Sequence, residues 1–291
     1  MIVNAMTVDV EDYFHASAFD RTVAKSSWVT RESRVVRNTE NLLECFDRAG
    51  VHGTFFILGW VAERFPQLVR DIAASGHELA SHGFHHQLIY TLTPEQFRQD
   101  VRRTKRMIED IAGCEVRGYR APSFSIVKAS LWALDVLIEE GHSYDASIFP
   151  IHHDRYGIPD APRHPHVVER AAGTIVEVPA STLRVFQQNV PIAGGGYFRL
   201  VPYEWTRWAM ARVNRDGEPV VFYLHPWEID PDQPRLPVSR TTAFRHYCGL
   251  GKTLNRLELL CNDFAFGTVA AMLTSQPAVT LPAMPRLAHA K

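Results

Sequence analysis

The stretch "HGTFFILGWVAERFPQLVRDIAASGHELASH", His52 to His82, decides the fold. "HGTFFILGW" reads as a short apolar strand and "HELASH" as a second one. Between them "PQLVRDIAASG" reads as a helix, with Pro66 near its start and Gly76 just beyond its end. The alternation continues on both sides. Upstream, "NAMTVDV" is a buried strand, and a helix follows from about Thr39 with Leu42, Leu43 and Phe46 on its apolar face and Gly50 as the C′ residue. Downstream, Thr93 caps a helix with Pro94 at N1 and Gln96 completing a capping box. "VRGYRAP" is strand-like, "ASLWALDVLIEEG" helical, and "PVVFYLH" a strongly apolar strand. Strands alternating with helices predict an α/β fold with a parallel sheet and covering helices, either a barrel or a doubly wound sheet. Residues 150–170 read as a long loop over one face, and the C-terminal residues 276–291 as a loose tail after one domain spanning 1–275.

The bulk numbers exclude some function classes. Lysine plus arginine (31) nearly equals aspartate plus glutamate (32), so a basic surface for nucleic acid is not expected. The first residues, "MIVNAMTVDVEDYF", lack a basic n-region and read as a strand and not as a signal peptide. No window approaches the roughly 18 apolar residues of a membrane span. Cys45, Cys114, Cys248 and Cys261 are scattered and read as reduced thiols. The expectation is a cytoplasmic protein. The oligomeric state is not legible.

Polar residues recur where strands run out. Asp9, Glu11 and Asp12 end the first strand, His82 and His86 follow "HELAS", Arg120 follows "VRGY", Asp145 follows "HSY", and His225 follows "VVFYL". Strand C-termini of a β/α barrel open on one face, so these pieces are expected in one cleft. Two imidazoles four residues apart, with a carboxylate from "DVED", form a donor set suited to Zn²⁺ or a similar divalent ion.

With these motifs in order, the chain resembles the polysaccharide deacetylases of carbohydrate esterase family four. "MTVDVED" stands at the family's Thr-Phe-Asp-Asp motif, and "HELASHGFHHQLIYTLTPEQF" at its His-Ser/Thr-x-x-His stretch, with Gly83 at the Ser/Thr position. "GYRAPSF" stands at the Arg-x-x-Pro motif with Pro122 one residue early, "YDASIFP" at the fourth motif, and "VVFYLHPWEID" at the Leu-x-His motif. "DVEDYFHASAF", "AGGGYFRL" and "YLHPWEIDPDQPR" resemble the branch associated with exosortase-type exopolysaccharide clusters.

The resemblance implies a distorted (β/α) barrel with fewer than eight regular units and a metal-assisted removal of acetyl groups from N-acetylated oligo- or polysaccharides, with zinc as the expected ion. It carries Asp9 over as general base, His82 and His86 as metal ligands, Arg120 as the partner of the base, and His225 as general acid oriented by Asp145. The acidic ligand is either Asp12, preferred as a shorter carboxylate beyond the strand end, or Glu11, which shares a face with Asp9 if the strand continues. Tyr197, Arg199 and Trp227 are expected substrate contacts, with Glu228 drawn in by its position. The glycines of "AGGGYFRL" serve a tight turn or a close approach of backbone to a ligand. His15 and Trp28 either line the cleft or pack in a loop. Trp205 and Trp208 read as core, and His152, His153, His164 and His166 as loop surface. A non-peptide C–N hydrolase of the same fold, or a silent carbohydrate-binding protein, is the alternative.

Overall fold

The computed structural model describes residues 2–276 apart from Arg21 and Ala193; the tail expected from residue 276 on lies, from 277, outside the described residues. In chain order the elements are β1 (Asn4–Val10), α1 (Val35–Ala49), β2 (Thr54–Ile57), α2 (Gly59–Arg64), α3 (Pro66–Ala74), β3 (Glu78–Ser81), α4 (Pro94–Ala112) and β4 (Gly118–Tyr119). Then come α5 (Trp132–Glu139), β5 (Tyr144–Asp145), β6 (His166–Arg170), β7 (Gly173–Glu177), the hairpin β8 (Thr182–Val185) and β9 (Gln188–Pro191), α6 (Gly195–Leu200) and α7 (Tyr203–Arg215). Last are β10 (Val221–Leu224), α8 (Arg240–Tyr247), α9 (Leu250–Asp263), β11 (Phe266–Gly267) and α10 (Val269–Thr274).

The main sheet runs β10-β1-β2-β3-β4-β5-β7-β6, with β11 also on β1. Its pairs are parallel except β6 with β7. Ala5, Phe56, Ala80, Tyr144, Val176 and Val221, from six different strands, meet in one buried cluster closed off by Val269, Met272 and Leu273 of α10. The sheet therefore curls around its own inner face, as a barrel does. Its hydrogen-bonded ladder does not close among the described residues, because β10 and β6 remain its two ends. The alternation read from the sequence thus appears as a mostly parallel sheet with surrounding helices. The larger core lies between the sheet and helices such as α1, α7 and α9.

Local departures from the sequence reading have tertiary causes. Helix α1 starts at Val35 and not near Thr39, because its first N–H groups are met from far upstream: Arg34 N and Val35 N donate to the Asp12 carboxylate at 3.0 and 3.3 Å. The strand read through Trp60 stops at Ile57 because α2 begins at Gly59, where a Cβ would lie 2.5 Å from the Phe84 ring. The loop expected over 150–170 ends in strand β6, whose alternating exposure gives it one face on the protein. By contrast, the Thr93–Gln96 capping box and the left-handed Gly50 (φ 63°) occur as read, since both are decided within one turn.

Strand β4 is only two residues long, yet it carries the chain into Arg120, and it depends on Gly118. A Cβ at Gly118 would lie 2.1 Å from Tyr144 Cζ, while the Tyr144 hydroxyl is tied to Glu78 Oε1 at 3.0 Å. Gly118→Ala forces that anchored ring aside. We expect a loss of about 1–3 kcal/mol in unfolding free energy, as for overpacked cores. Urea titration of the variant against the parent protein checks it.

Candidate active site

Parallel pairing brings one end of five strands together. Val8 is level with Leu224, Asp9 with Phe56, and Ser81 with both Ile57 and Tyr119. Asp9 and Glu11 at the end of β1, His82 after β3, Arg120 after β4 and His225 after β10 therefore share one end of the sheet. Asp9, Glu11, His82, His86 and His225 line one cleft of about 200 Å³, walled by Phe124, Tyr156, Tyr223 and Trp227.

Glu11, His82 and His86 form a donor cluster whose ligand atoms all lie within 4.8 Å of one another. The loop that brings both histidines in turns through two left-handed residues, Gly83 (φ 70°) and His86 (φ 51°). Asp100 of α4 anchors it by accepting from Phe84 N at 2.9 Å. His82 Nδ1 lies 2.8 Å from the Arg120 carbonyl, a contact that fixes the ring and leaves Nε2 free. Glu11 Oε2 lies 2.8 Å from His86 Nε2, at ion-pair distance but outside hydrogen-bond geometry, and is otherwise unpartnered though buried. Burial opposes the charge on Glu11, but His86, His225 and His82 hold its carboxyl well below the usual range. Burial also pushes His82 down to about 4. A charged carboxylate and a neutral imidazole are the forms a divalent cation binds, so these residues fit a metal.

Beside this cluster Arg120 Nη1 donates to Asp9 Oδ1 at 2.7 Å and to Thr7 Oγ1 at 2.9 Å. His225 Nε2 lies 3.6 Å from Glu11 Oε1 and 3.9 Å from Asp9 Oδ2. Burial disfavours the imidazolium at His225, but the hydrogen bond to Glu228 and the charges of Glu11, Glu228 and Asp9 raise it to about 9. Trp227 donates from Nε1 to Glu11 Oε1 at 3.3 Å. Its ring is stacked between those of His225 (5.0 Å) and His246 (4.3 Å). Ser123 and Phe124, both near φ 50°, put backbone strain beside the cleft, as functional loops often do.

Comparison with known proteins identifies the part of the chain that holds the two histidines and Arg120. Residues 19–137 match the polysaccharide deacetylase family. Residues 146–274 match a domain of unknown function, DUF3473. A peptidoglycan-N-acetylglucosamine deacetylase of Bacillus cereus is 27% identical over 127 residues, 43% of this chain and 46% of that protein. A peptidoglycan deacetylase of Helicobacter pylori is 30% identical over 115 residues, 39% of this chain and 37% of that protein. The chain thus spans less than half the length of these curated relatives. A crystal structure from Mycobacterium smegmatis, assigned as a polysaccharide deacetylase, aligns over 97% of this chain and 93% of its own with a TM-score of 0.62 and 20% identity, which shows the shared fold. Residues 19–137 are therefore similar in sequence to polysaccharide deacetylases, and the chain shares its fold with the Mycobacterium smegmatis structure.

Asp9 and Glu11 lie before the deacetylase match and His225 after it, so the cleft unites pieces that neither match contains alone. β10 pairs with β1 and β7 with β5, so strands from both matched segments share one sheet.

Several sequence expectations are corrected. Of the two carboxylates weighed as ligand, Glu11 and not Asp12 joins the histidines. Asp12 is occupied as a cap, accepting from Ser33 Oγ at 2.6 Å and from the backbone of Tyr13, Arg34 and Val35. Asp145 does not face His225; it accepts from Ser147 Oγ at 2.5 Å, and Glu228 takes the place at His225 Nδ1. Arg199 is 5% exposed and committed to Glu228 and backbone carbonyls, so it is no substrate contact. Tyr197 is half-buried and pairs with Tyr156, the residue that reaches the cleft from a loop without any sequence signal. Trp227 lines the cleft, but only 6% of it is exposed. His15 and Trp28 pack against each other and Trp60. Trp208 is 52% exposed and not core. His166 lies on β6 and not in a loop.

Asp145 has a different chemistry from the one expected. It is buried beside Glu177; burial raises Asp145 to about 6, while burial and then the Asp145 charge push Glu177 well above the usual range. Carboxyls with raised folded-state values keep protons that the unfolded chain releases near pH 4. The pair therefore stabilises the fold fully below the unfolded values and loses that contribution as pH rises, through about 6 for Asp145 and higher for Glu177. Glu177→Gln is expected to flatten the fall in unfolding free energy between pH 5 and pH 8 relative to the parent, and urea titrations at both pH values measure it.

Proposed function

We propose that this chain is a divalent-metal-dependent hydrolase that removes acetyl groups from the N-acetylated sugars of an oligo- or polysaccharide. The observation that carries the reading is the Glu11, His82 and His86 cluster sharing one cleft with the Asp9–Arg120 pair and His225. One carboxylate and two imidazoles suit Zn²⁺ first among divalent ions. A cation bound there would supply Lewis acidity to the acetamide carbonyl and to water.

The chain's own residues supply the rest. Asp9, its Oδ1 held by Arg120, has Oδ2 as the acceptor for the proton of the attacking water. His225, raised to about 9, carries a proton that it can deliver from Nε2 to the leaving amine. Trp227 holds Glu11 by its indole N–H, so one Glu11 oxygen is occupied and the other turns to the histidines. Phe124, Tyr156 and Tyr223 exclude water from one wall of the cleft and offer flat apolar faces to an acetyl group or a pyranose ring. The resemblance of "DVEDYFHASAF", "AGGGYFRL" and "YLHPWEIDPDQPR" to the exosortase-associated branch supports a role in exopolysaccharide biosynthesis. Among the described residues no helix is long and apolar enough to cross a membrane.

The test is acetate release from a panel of free and lipid-linked N-acetylated oligosaccharides, run on protein whose metal content has been measured. His82→Ala and Glu11→Ala are expected to lose bound metal and turnover together. Asp9→Asn is expected to keep the metal and lower turnover by roughly 10²–10⁴, the usual worth of a positioned base. A His82→Ala protein with full metal and normal acetate release would overturn the assignment.

A further inference from the structure

His225 is held from behind by a buried pair. Its Nδ1 lies 3.1 Å from Glu228 Oε2, and its backbone N–H donates to the same oxygen at 3.1 Å. The other oxygen, Glu228 Oε1, accepts from Arg199 Nε at 2.7 Å. Arg199 Nη1 donates to the carbonyls of His246 and Cys248 at 2.8 and 2.7 Å, and Nη2 to that of Arg245 at 3.2 Å. Glu228 is 1% exposed and Arg199 5%.

The glycines of "AGGGYFRL" serve this contact. At Gly194 (φ 117°) a Cβ would lie 1.9 Å from the Tyr223 carbonyl, and at Gly195 (φ 54°) 2.8 Å from the Tyr223 ring. Only bare backbone lets α6 approach β10 so closely, and that approach brings Arg199 under the strand that ends at His225. The carbonyls that hold the far side of Arg199 come from the end of α8 and the turn after it, where Gly249 is left-handed (φ 77°) and a Cβ would lie 2.6 Å from the Arg199 carbonyl oxygen.

We propose that Arg199 and Glu228 are a positioning pair for His225, setting the orientation of its ring and the nitrogen that carries the transferred proton. The proposal rests on His225 being the proton donor to the leaving amine. A carboxylate at Nδ1 keeps a proton there and leaves Nε2–H directed at the cleft, toward Glu11 and Asp9. When the C–N bond breaks, its electron pair stays on nitrogen. The Nε2–H bond of His225 breaks as a new N–H bond forms, and Glu228 remains an unprotonated acceptor of Nδ1–H throughout. Arg199 compensates the charge of the buried Glu228 and, by occupying Oε1, dictates that Oε2 faces the ring.

A latch that merely held α6 and α8 to the sheet would affect every reaction of the cleft alike. Protonation of the leaving group matters for an amine and hardly at all for a nitrophenolate, which separates the two roles. Glu228→Gln and Arg199→Lys should be assayed as metal-loaded full-length protein on an N-acetylglucosamine oligomer and on 4-nitrophenyl acetate. We expect kcat on the acetamide to fall by roughly 10–100-fold with KM and metal content unchanged, as when a hydrogen-bond partner that orients a functional imidazole is lost. Turnover of the ester should stay within about three-fold, since no acid is needed there. Guanidinium added to Arg199→Ala should restore part of the acetamide turnover. Parallel losses on both substrates, or no loss on the acetamide, overturn the pair's role. If Arg199→Lys fails to fold, Glu228→Gln decides alone, since it removes the charge at almost equal volume. A parent protein that cleaves the ester but no acetamide overturns the functional reading itself, and with it the role of His225 that this pair would serve.

Discussion

Glu11 is a carboxylate with 2% of its surface exposed, set among three imidazoles at the end of a strand. Removing a charge from water costs several kcal/mol unless partners replace the solvent. Around Glu11 the compensation is built from His86 on Oε2 and from His225 and the indole N–H of Trp227 on Oε1. Much of the local structure serves that need, including the left-handed turn at His86 and the Asp100 anchor under it.

Two further buried carboxylates follow the same rule with a guanidinium each. Asp9 has Arg120, and Glu228 has Arg199. Both arginines also bind backbone or a hydroxyl in another element, so each ties a strand end to a distant part of the chain: Arg120 to Thr7 and the Ala146 carbonyl, Arg199 to the end of α8. A lysine could not do this, since it lacks the rigid fork of donors. The charges of the cleft and its shape are thereby maintained by the same contacts. The Asp145–Glu177 pair is the contrast: it has no guanidinium of its own, and it stays buried by keeping protons.

The parallel register converts this chemistry into one place. Asp9, His82, Arg120 and His225 lie at least 38 residues apart in the chain, and only the alignment of strand ends makes them adjacent. Because β10 pairs with β1, His225 closes against Asp9, and the open ladder between β10 and β6 leaves room for the β8–β9 hairpin and α6. That gap is where Arg199 enters.

The sequence by itself determined the alternation of strands and helices, the Thr93 and Gly50 helix signals, and the set of strand ends that carry Asp9, His82, Arg120 and His225. These are local matters, legible because one turn of helix or one strand end encodes them. Which carboxylate meets the histidines was not local: Asp12 is as near in sequence as Glu11, but the N–H groups of Arg34 and Val35 claim it as their cap. Nor was the partner of His225, because Asp145 is drawn into a buried pair with Glu177 while Glu228 turns back within one short turn and is held there by Arg199. Tertiary structure decided these points because a buried polar group takes whichever partner packing brings within about 3 Å, and sequence spacing does not report that distance.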